Sequence, residues 1–221
     1  MTDRELLSHV DHTQLKAFAI WEDIAKLCDE ALEYGTASVC VPPCYIGRIR
    51  DAYGEKLNIC TVVGFPLGYS VTAAKLAEVE QALADGCDEI DMVVNISDVK
   101  NGLFDKVEDE IRALKKACGS HILKVIIETC YLTGAEKIAM CKAVTAAGAD
   151  YIKTSTGFGT GGATREDVEL FAANIGPDVK IKAAGGVSTV EDLEMFIQLG
   201  CDRIGTSRAV GLLKGETQEG Y

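Results

Sequence analysis

Positive charge is scarce in this chain: 22 lysines and arginines stand against 34 acidic residues, a formal net charge of −12 at pH 7. That balance argues against nucleic acid as a partner, because phosphate backbones are bound by basic surfaces. It leaves open a small anion held by local donors. No apolar run approaches membrane-spanning length, and Met1-Thr2-Asp3-Arg4-Glu5 has no apolar signal core, so no membrane partner is expected. The nine cysteines are odd in number and lack paired spacing; Cys40 and Cys44, four apart, have no zinc-type partners nearby. They read as reduced core residues of a soluble, cytoplasmic protein. Histidine is rare: His9 and His12 are three apart and His121 begins a strand, but no Asp/Glu/His cluster at strand ends completes a metal site. No glycine-rich fingerprint follows the first strand, which argues against a dinucleotide site.

What is present is a regular alternation of strands and helices. The 221 residues, 48% of them hydrophobic, suit one large domain over 1–221. Apolar spacing predicts a short N-terminal helix over residues 3–8 and a strand at Val10-Asp11-His12-Thr13. Ile24, Leu27, Cys28, Ala31 and Leu32 mark one face of the next helix, which Gly35 ends. Further strands are expected at 37–41, 58–63, 88–95 and 122–128, then around Lys153, around Lys182 and at 203–205, with helices between them. Thr133 with Glu136 has the spacing of a capping box. The last helix is expected to begin at Thr206-Ser207. Eight units of about 27 residues imply parallel strands joined by right-handed crossovers, and a closed (β/α)8 barrel rather than an open doubly wound sheet. Gly86-Cys87-Asp88, Gly148-Ala149-Asp150 and Gly200-Cys201-Asp202 recur between helix and strand and carry architecture, not catalysis.

In such a barrel chemistry sits at the C-terminal ends of the strands. Those ends carry Asp11 or Thr13, Cys40, Gly64, Asp91 with Asn95, Glu128, Lys153 with Thr156, Lys182 with Gly185 and Gly186, and Gly205 with Ser207. Lys153 ends an apolar run, and Lys182 ends the next strand in the same way. A buried ammonium must be paired or lose its proton, and a neutral lysine attacks carbonyls. The reading is a Schiff-base nucleophile at Lys153 with Lys182 as its electrostatic neighbour; the plainer one is a strand-end lysine paired with an acid. Lys180 is a decoy nearer the strand start. Lys124 shares a face with Ile126 and Glu128 and reads as an accessory or structural lysine. Asp91, in an otherwise apolar strand, would orient water or exchange protons, or simply form an ion pair inside the barrel. The turns at Gly185-Gly186 and Gly205-Thr206-Ser207 follow strands seven and eight, where barrels often hold phosphate; Ser207 at a helix N-terminus would add a hydroxyl.

Glu89-Ile90-Asp91-Met92-Val93-Val94-Asn95, Lys124-Val125-Ile126-Ile127-Glu128-Thr129, Tyr151-Ile152-Lys153-Thr154-Ser155-Thr156-Gly157-Phe158 and Ile181-Lys182-Ala183-Ala184-Gly185-Gly186 together resemble the deoxyribose-phosphate aldolases, class I aldolases. The resemblance runs from Asp11-His12-Thr13 to Ser207. It implies reversible cleavage of 2-deoxy-D-ribose 5-phosphate to D-glyceraldehyde 3-phosphate and acetaldehyde, in deoxyribose catabolism, without metal or other cofactor. It assigns Lys153 as the Schiff-base lysine, Asp91 and Lys182 as proton-handling partners, and Gly185, Gly186, Gly205 and Ser207 as the phosphate site, with Thr156 and Gly157 beside it. Asp11, Thr13, Cys40 and Lys124 are possible accessories. A homo-oligomer, dimer or tetramer, is expected.

Two positions depart from the family. Phe158 stands where some members carry a phosphate-assisting lysine, and Arg208 where others carry a second serine. Residues 216–221 are expected to form a flexible tail; Tyr221 either folds over the pocket as a proton relay or is disordered. The rivals are a transaldolase or keto-acid aldolase, a metal-dependent aldolase, and a phosphosugar-binding barrel without turnover. The first two lack support from the paired lysines or from metal ligands, and the last has no need of two facing lysines.

Overall fold

The computed structural model describes residues 1–215, so the expected tail and Tyr221 lie outside the described residues. Helix α1 (Asp3–Leu7) precedes β1 (Val10–Thr13), and the chain then alternates. The elements that follow are α2 (Trp21–Tyr34), β2 (Ser38–Val41), α3 (Ile46–Tyr53), β3 (Ile59–Val63), α4 (Thr72–Ala84) and β4 (Glu89–Val93). Next come α5 (Ile96–Lys100), α6 (Phe104–Cys118), β5 (Ile122–Ile126), α7 (Gly134–Ala146) and β6 (Tyr151–Lys153). The chain closes with α8 (Arg165–Asn174), β7 (Lys180–Ala184), α9 (Val190–Gln198), β8 (Arg203–Thr206) and α10 (Ala209–Leu213). The eight strands form a closed, all-parallel barrel in chain order, with β8 returning to β1, so the expected (β/α)8 architecture holds.

Local sequence explains the borders. In α2 the residues Ile24, Leu27, Cys28 and Ala31 are buried on one face, and Gly35 ends the helix with φ 72°. Thr133 caps α7 as anticipated: Glu136 N donates to Thr133 Oγ1 at 3.3 Å, and Thr133 N donates to Glu136 Oε2 at 2.7 Å. Such reciprocal caps satisfy donors that the first helical turn leaves unpaired. Three borders differ from the sequence reading, the first being β5, which stops at Ile126 rather than at Glu128. Asn95 is not a strand end but the cap of the short α5, its side chain accepting from Ser97 N at 3.1 Å and from Asp98 N at 3.4 Å. Strand β8 runs on to Thr206, which pairs with His12. The last helix therefore starts at Ala209, with Arg208 at its N-cap, and Ser207 lies in the connection rather than at a helix N-terminus. Thr206 Oγ1 makes that turn by accepting from Arg208 N at 3.1 Å.

The barrel wall separates two different cores. Its outer face packs Val39, Ile59, Ile90, Met92, Leu123, Val125, Ile152, Ile181 and Ile204 against the helices in one apolar cluster. The inner face has a small apolar cluster of Leu15, Cys40, Cys60 and Val62, with Val93 and Ile126 also buried. The rest of the interior carries buried polar groups, Asp11, Glu89, Asp91, Lys124, Lys153 and Lys182. Barrels usually fill this volume with branched apolar side chains. Here an ion network fills it instead.

Candidate active site

Register brings the expected residues together. Lys153 pairs with Lys182 across β6 and β7, and Asp91 pairs with Lys124 across β4 and β5. Both Lys153 Nζ and Lys182 Nζ reach Asp91 Oδ2, at 2.7 and 2.6 Å. Asp91 Oδ1 accepts from Lys124 Nζ at 2.9 Å. Beneath this cluster Lys124 also meets Glu89 at 2.6 Å, and Arg203 bridges Glu89 at 2.9 Å and Asp11 at 2.5 Å. Asp11 in turn pairs with Lys182 at 2.5 Å and accepts from Ser38 Oγ at 2.8 Å. Asp11 is thus a full member of the network rather than an accessory at its rim.

The electrostatics follow from this geometry. Burial opposes ionisation of Asp91, but Lys124, Lys153 and Lys182 outweigh it and hold the carboxyl well below the usual carboxylate range. Asp11 is lowered in the same way, burial being overcome by Lys182, Lys124 and Arg203. Burial alone would strip the proton from Lys182, yet Asp11 and Asp91 reverse that and keep it charged well above the ordinary lysine value. Lys124 is likewise raised, with Asp91 the largest opponent of its burial. Three carboxylates (Asp11, Glu89 and Asp91) face four cations (Lys124, Lys153, Lys182 and Arg203). Removing one proton from the cluster would leave it balanced.

A cleft opens above this network at the C-terminal mouth of the barrel. Of the three interior lysines only Lys153 lines it; Lys182 and Lys124 lie below, fully buried. Thr13, Thr156, Gly157, Gly185, Gly186, Gly205 and Ser207 line it too, and Arg208 stands at its wall. Cys40 does not: it is buried among Cys60, Val62 and Leu15. Lys180 is exposed at the opposite end of β7, 3.4 Å from Asp202. Phe158 turns away from the cleft, 46% exposed, its ring 5.3 Å from that of Phe65 in an edge-to-face pair. Gly205 has a steric reason: a Cβ there would lie 3.1 Å from Lys182 Cε.

The interior donors do not suit a metal ion. Cys40, Cys60 and Asp91 cluster, as do Asp11, Cys60 and Glu89, but every carboxylate among them already accepts from ammonium or guanidinium groups. Burial also pushes the Cys60 thiol well above its usual value, away from the thiolate a metal needs. His12 and His9 sit apart from this cluster, His12 Nε2 2.9 Å from Glu30 Oε2 and His9 Nδ1 2.9 Å from the Asp202 carbonyl.

Sequence reasoning missed two members of the ion network and the partner of Glu128. Glu89 and Arg203 belong to the ion network, and Glu128 binds Thr156. The signal for the first two was in the sequence: Glu89 shares strand parity with Asp91, and Arg203 with Gly205, so each had to point into the barrel. Parity placed Glu128 at the end of β5, facing the interior, but the strand stops at Ile126 and Glu128 leaves it. It takes φ 52°, the only positive value for a non-glycine among the described residues. Burial raises its carboxyl above the usual value, with hydrogen bonds from Thr156 and the charge of Lys153 partly offsetting this.

Comparison with known proteins agrees with the geometry. The sequence pattern of the DeoC/LacD family aldolases matches residues 7–216. A deoxyribose-phosphate aldolase of Clostridium botulinum (strain Alaska E43 / Type E3) is 73% identical over 221 residues, covering 100% of both chains. One from Clostridioides difficile (strain 630) is 54% identical over 99% of this chain and 100% of its own. The tetrameric deoxyribose phosphate aldolase structure from Aeropyrum pernix superposes with a TM-score of 0.90 at 32% identity, over 97% of this chain and 92% of that one. With an aldolase pattern spanning nearly its whole length and a lysine–carboxylate cluster under its barrel mouth, the chain belongs to the DeoC/LacD family of aldolases.

Proposed function

We propose that this enzyme cleaves 2-deoxy-D-ribose 5-phosphate reversibly to D-glyceraldehyde 3-phosphate and acetaldehyde, through an imine on Lys153. The observation that carries the choice of nucleophile is that Lys153 alone among the interior lysines lines the cleft while its amine meets Asp91 below. With Lys153 neutral the cluster holds three cations and three carboxylates, whereas Lys182 is held charged between Asp11 and Asp91.

The neutral amine attacks the C1 aldehyde of the open-chain sugar. The carbinolamine loses its hydroxyl as water, and the resulting iminium is an electron sink. Removal of the C3 hydroxyl proton then lets the C2–C3 electron pair move into the iminium, releasing glyceraldehyde 3-phosphate and leaving an enamine. Protonation at C2 and hydrolysis release acetaldehyde and the free lysine. Charged Lys182 and ionised Asp91 organise the water that carries these protons. The phosphate rests on the turn 185–186, Gly205 and Ser207, beside Thr156 and Gly157. Arg208, in the cleft wall, supplies the cation that Phe158 does not. Every step is carried by protein groups and water, with no metal or other cofactor.

The reading also places the enzyme in the cytoplasm, supported by nine cysteines that all stand as free thiols. No helix among the described residues is long and apolar enough to cross a membrane. Assembly as a dimer or tetramer is part of the same reading, and light scattering on the eluting protein would contradict it by returning a single-chain mass. The decisive experiment is borohydride trapping with acetaldehyde, followed by digestion and tandem mass spectrometry. A two-carbon adduct is expected on Lys153, absent in Lys153→Leu and weakened in Lys182→Leu. An adduct on Lys182 or Lys124 alone would move the nucleophile; no adduct on folded protein would sink the mechanism.

A further inference from the structure

Glu128 has no part in the chemistry above, and it is held in an unusual way. Its side chain is acidic yet only 2% exposed. Its backbone takes the left-handed region, which side chains with a Cβ rarely adopt. A residue kept in such a conformation is over-determined by its surroundings, and such positions cluster at functional sites.

The surroundings are specific. Glu128 Oε1 and Oε2 accept from Thr156 N at 3.2 and 3.3 Å, and Oε2 also accepts from Thr156 Oγ1. The Thr156 hydroxyl oxygen then accepts from Phe158 N at 3.0 Å, which closes the first turn of the loop. So the Thr156 hydroxyl proton is directed at Glu128, not into the cleft. Gly159 makes room for the carboxylate: a Cβ there would lie 3.1 Å from Glu128 Cδ. At its far end the same loop is clamped to β7, where Ala163 N donates to the carbonyls of Ala184 and Gly185 at 3.1 Å. Between the clamps the loop lies directly on the glycine turn. A Cβ on Gly162 would stand 2.3 Å from the Gly185 carbonyl oxygen, and one on Gly185 would stand 3.5 Å from Gly157 Cα. Gly157, Gly185 and Gly186 all line the cleft.

We infer that Glu128 is a positioning residue for the anion-binding wall: through Thr156 it fixes the loop 156–162 against the turn 185–186, and so sets affinity for the phosphorylated end of the substrate. This rests on the aldolase reading above. A carboxylate suits the task because it accepts from a backbone N–H and a hydroxyl of one residue at once, and bonds to charged acceptors are stronger than neutral ones.

The test compares kcat/KM for 2-deoxyribose 5-phosphate with kcat/KM for unphosphorylated 2-deoxyribose, in the full chain. Glu128→Ala and Thr156→Val are each expected to lower that ratio about tenfold, through KM for the phosphorylated sugar. The double variant is expected to be no worse than either alone, since both remove one linkage. Glu128→Gln keeps an acceptor in place and restores most of the ratio. Should Glu128→Ala fail to fold by circular dichroism, Glu128→Asp carries the test, being tolerant of left-handed backbone but too short to reach Thr156. An unchanged ratio in folded Glu128→Ala, or losses that multiply in the double variant, overturns the positioning role. Failure of wild-type imine trapping would instead strike the aldolase reading itself, so the two failures are distinguishable.

Discussion

Lys124 meets Glu89, Asp91 and Asp11 at once and touches nothing in the cleft. Its expected job is to hold Asp91 in place and in charge, not to react. Replacing it by methionine keeps the bulk and removes one buried cation. Glu89 would retain Arg203, and Asp91 would retain Lys153 and Lys182. The loss of stability for Lys124→Met is therefore placed at the low end for a broken buried pair, about 3 kcal/mol. Urea denaturation measures it, and a loss under about 1 kcal/mol would show that the network relaxes around the gap. Arg208 lines the cleft, while Phe158 is half of an aromatic pair with Phe65.

At the level of the element, β8 has to pass close to the lysine tips without displacing them. Gly205 pairs with Asp11 on one side and Ala184 on the other, at the height of Lys182. A methyl group on Gly205 would press on Lys182 Cε and Ala184 Cβ at 3.1 Å each. Gly205→Ala is expected to lower kcat by about tenfold or more, since small displacements of positioned groups are costly to rate. Its stability cost is expected to be about 1–3 kcal/mol from overpacking. Gly134→Ala is the control, because a Cβ there meets nothing within 4 Å. Equal rates in the two variants would mean that Lys182 tolerates movement and is not closely positioned.

For the whole molecule, an ion network in place of an apolar barrel interior couples stability to pH. Asp11 and Asp91 have lowered values in the folded chain and ordinary values, near 4, when unfolded. Their contribution is present above about pH 4 and is lost as the pH falls further toward the folded values, where the unfolded chain binds the extra protons. Lys124 and Lys182 are raised, so their contribution is present below about pH 10 and is lost as the pH rises through their folded values. Burial also raises six thiols, those of Cys28, Cys60, Cys87, Cys118, Cys141 and Cys201, so the unfolded chain loses these protons first and stability falls from about pH 8.5. Thermal melts should therefore show a plateau from about pH 5 to about pH 8 with a fall on either side. A steady decline from about pH 8 to about pH 6 would contradict these protonation states.

Much of this protein was decided by sequence alone. The alternation of apolar runs with amphipathic segments determined the barrel, because each strand–helix unit buries one face only by closing with its neighbours. The strand-end lysines, Asp91 and the glycine turns could be named as the site, because strand parity assigns each to the interior or exterior before any coordinates exist. Sequence pointed to Lys153 as the nucleophile but could not show that Lys182 and Lys124 lie below the cleft. Their depth rests on height along the barrel axis, which register sets, and register is a property of all eight strands together. The full ionic partnership of Asp11, Glu89, Lys124 and Arg203 was likewise hidden, since its members lie up to 192 positions apart along the chain. The partner of Glu128 was hidden most completely. Its place depends on one residue leaving the strand for a left-handed turn, and only the packing of β5 against the loop after β6 makes that conformation worth holding.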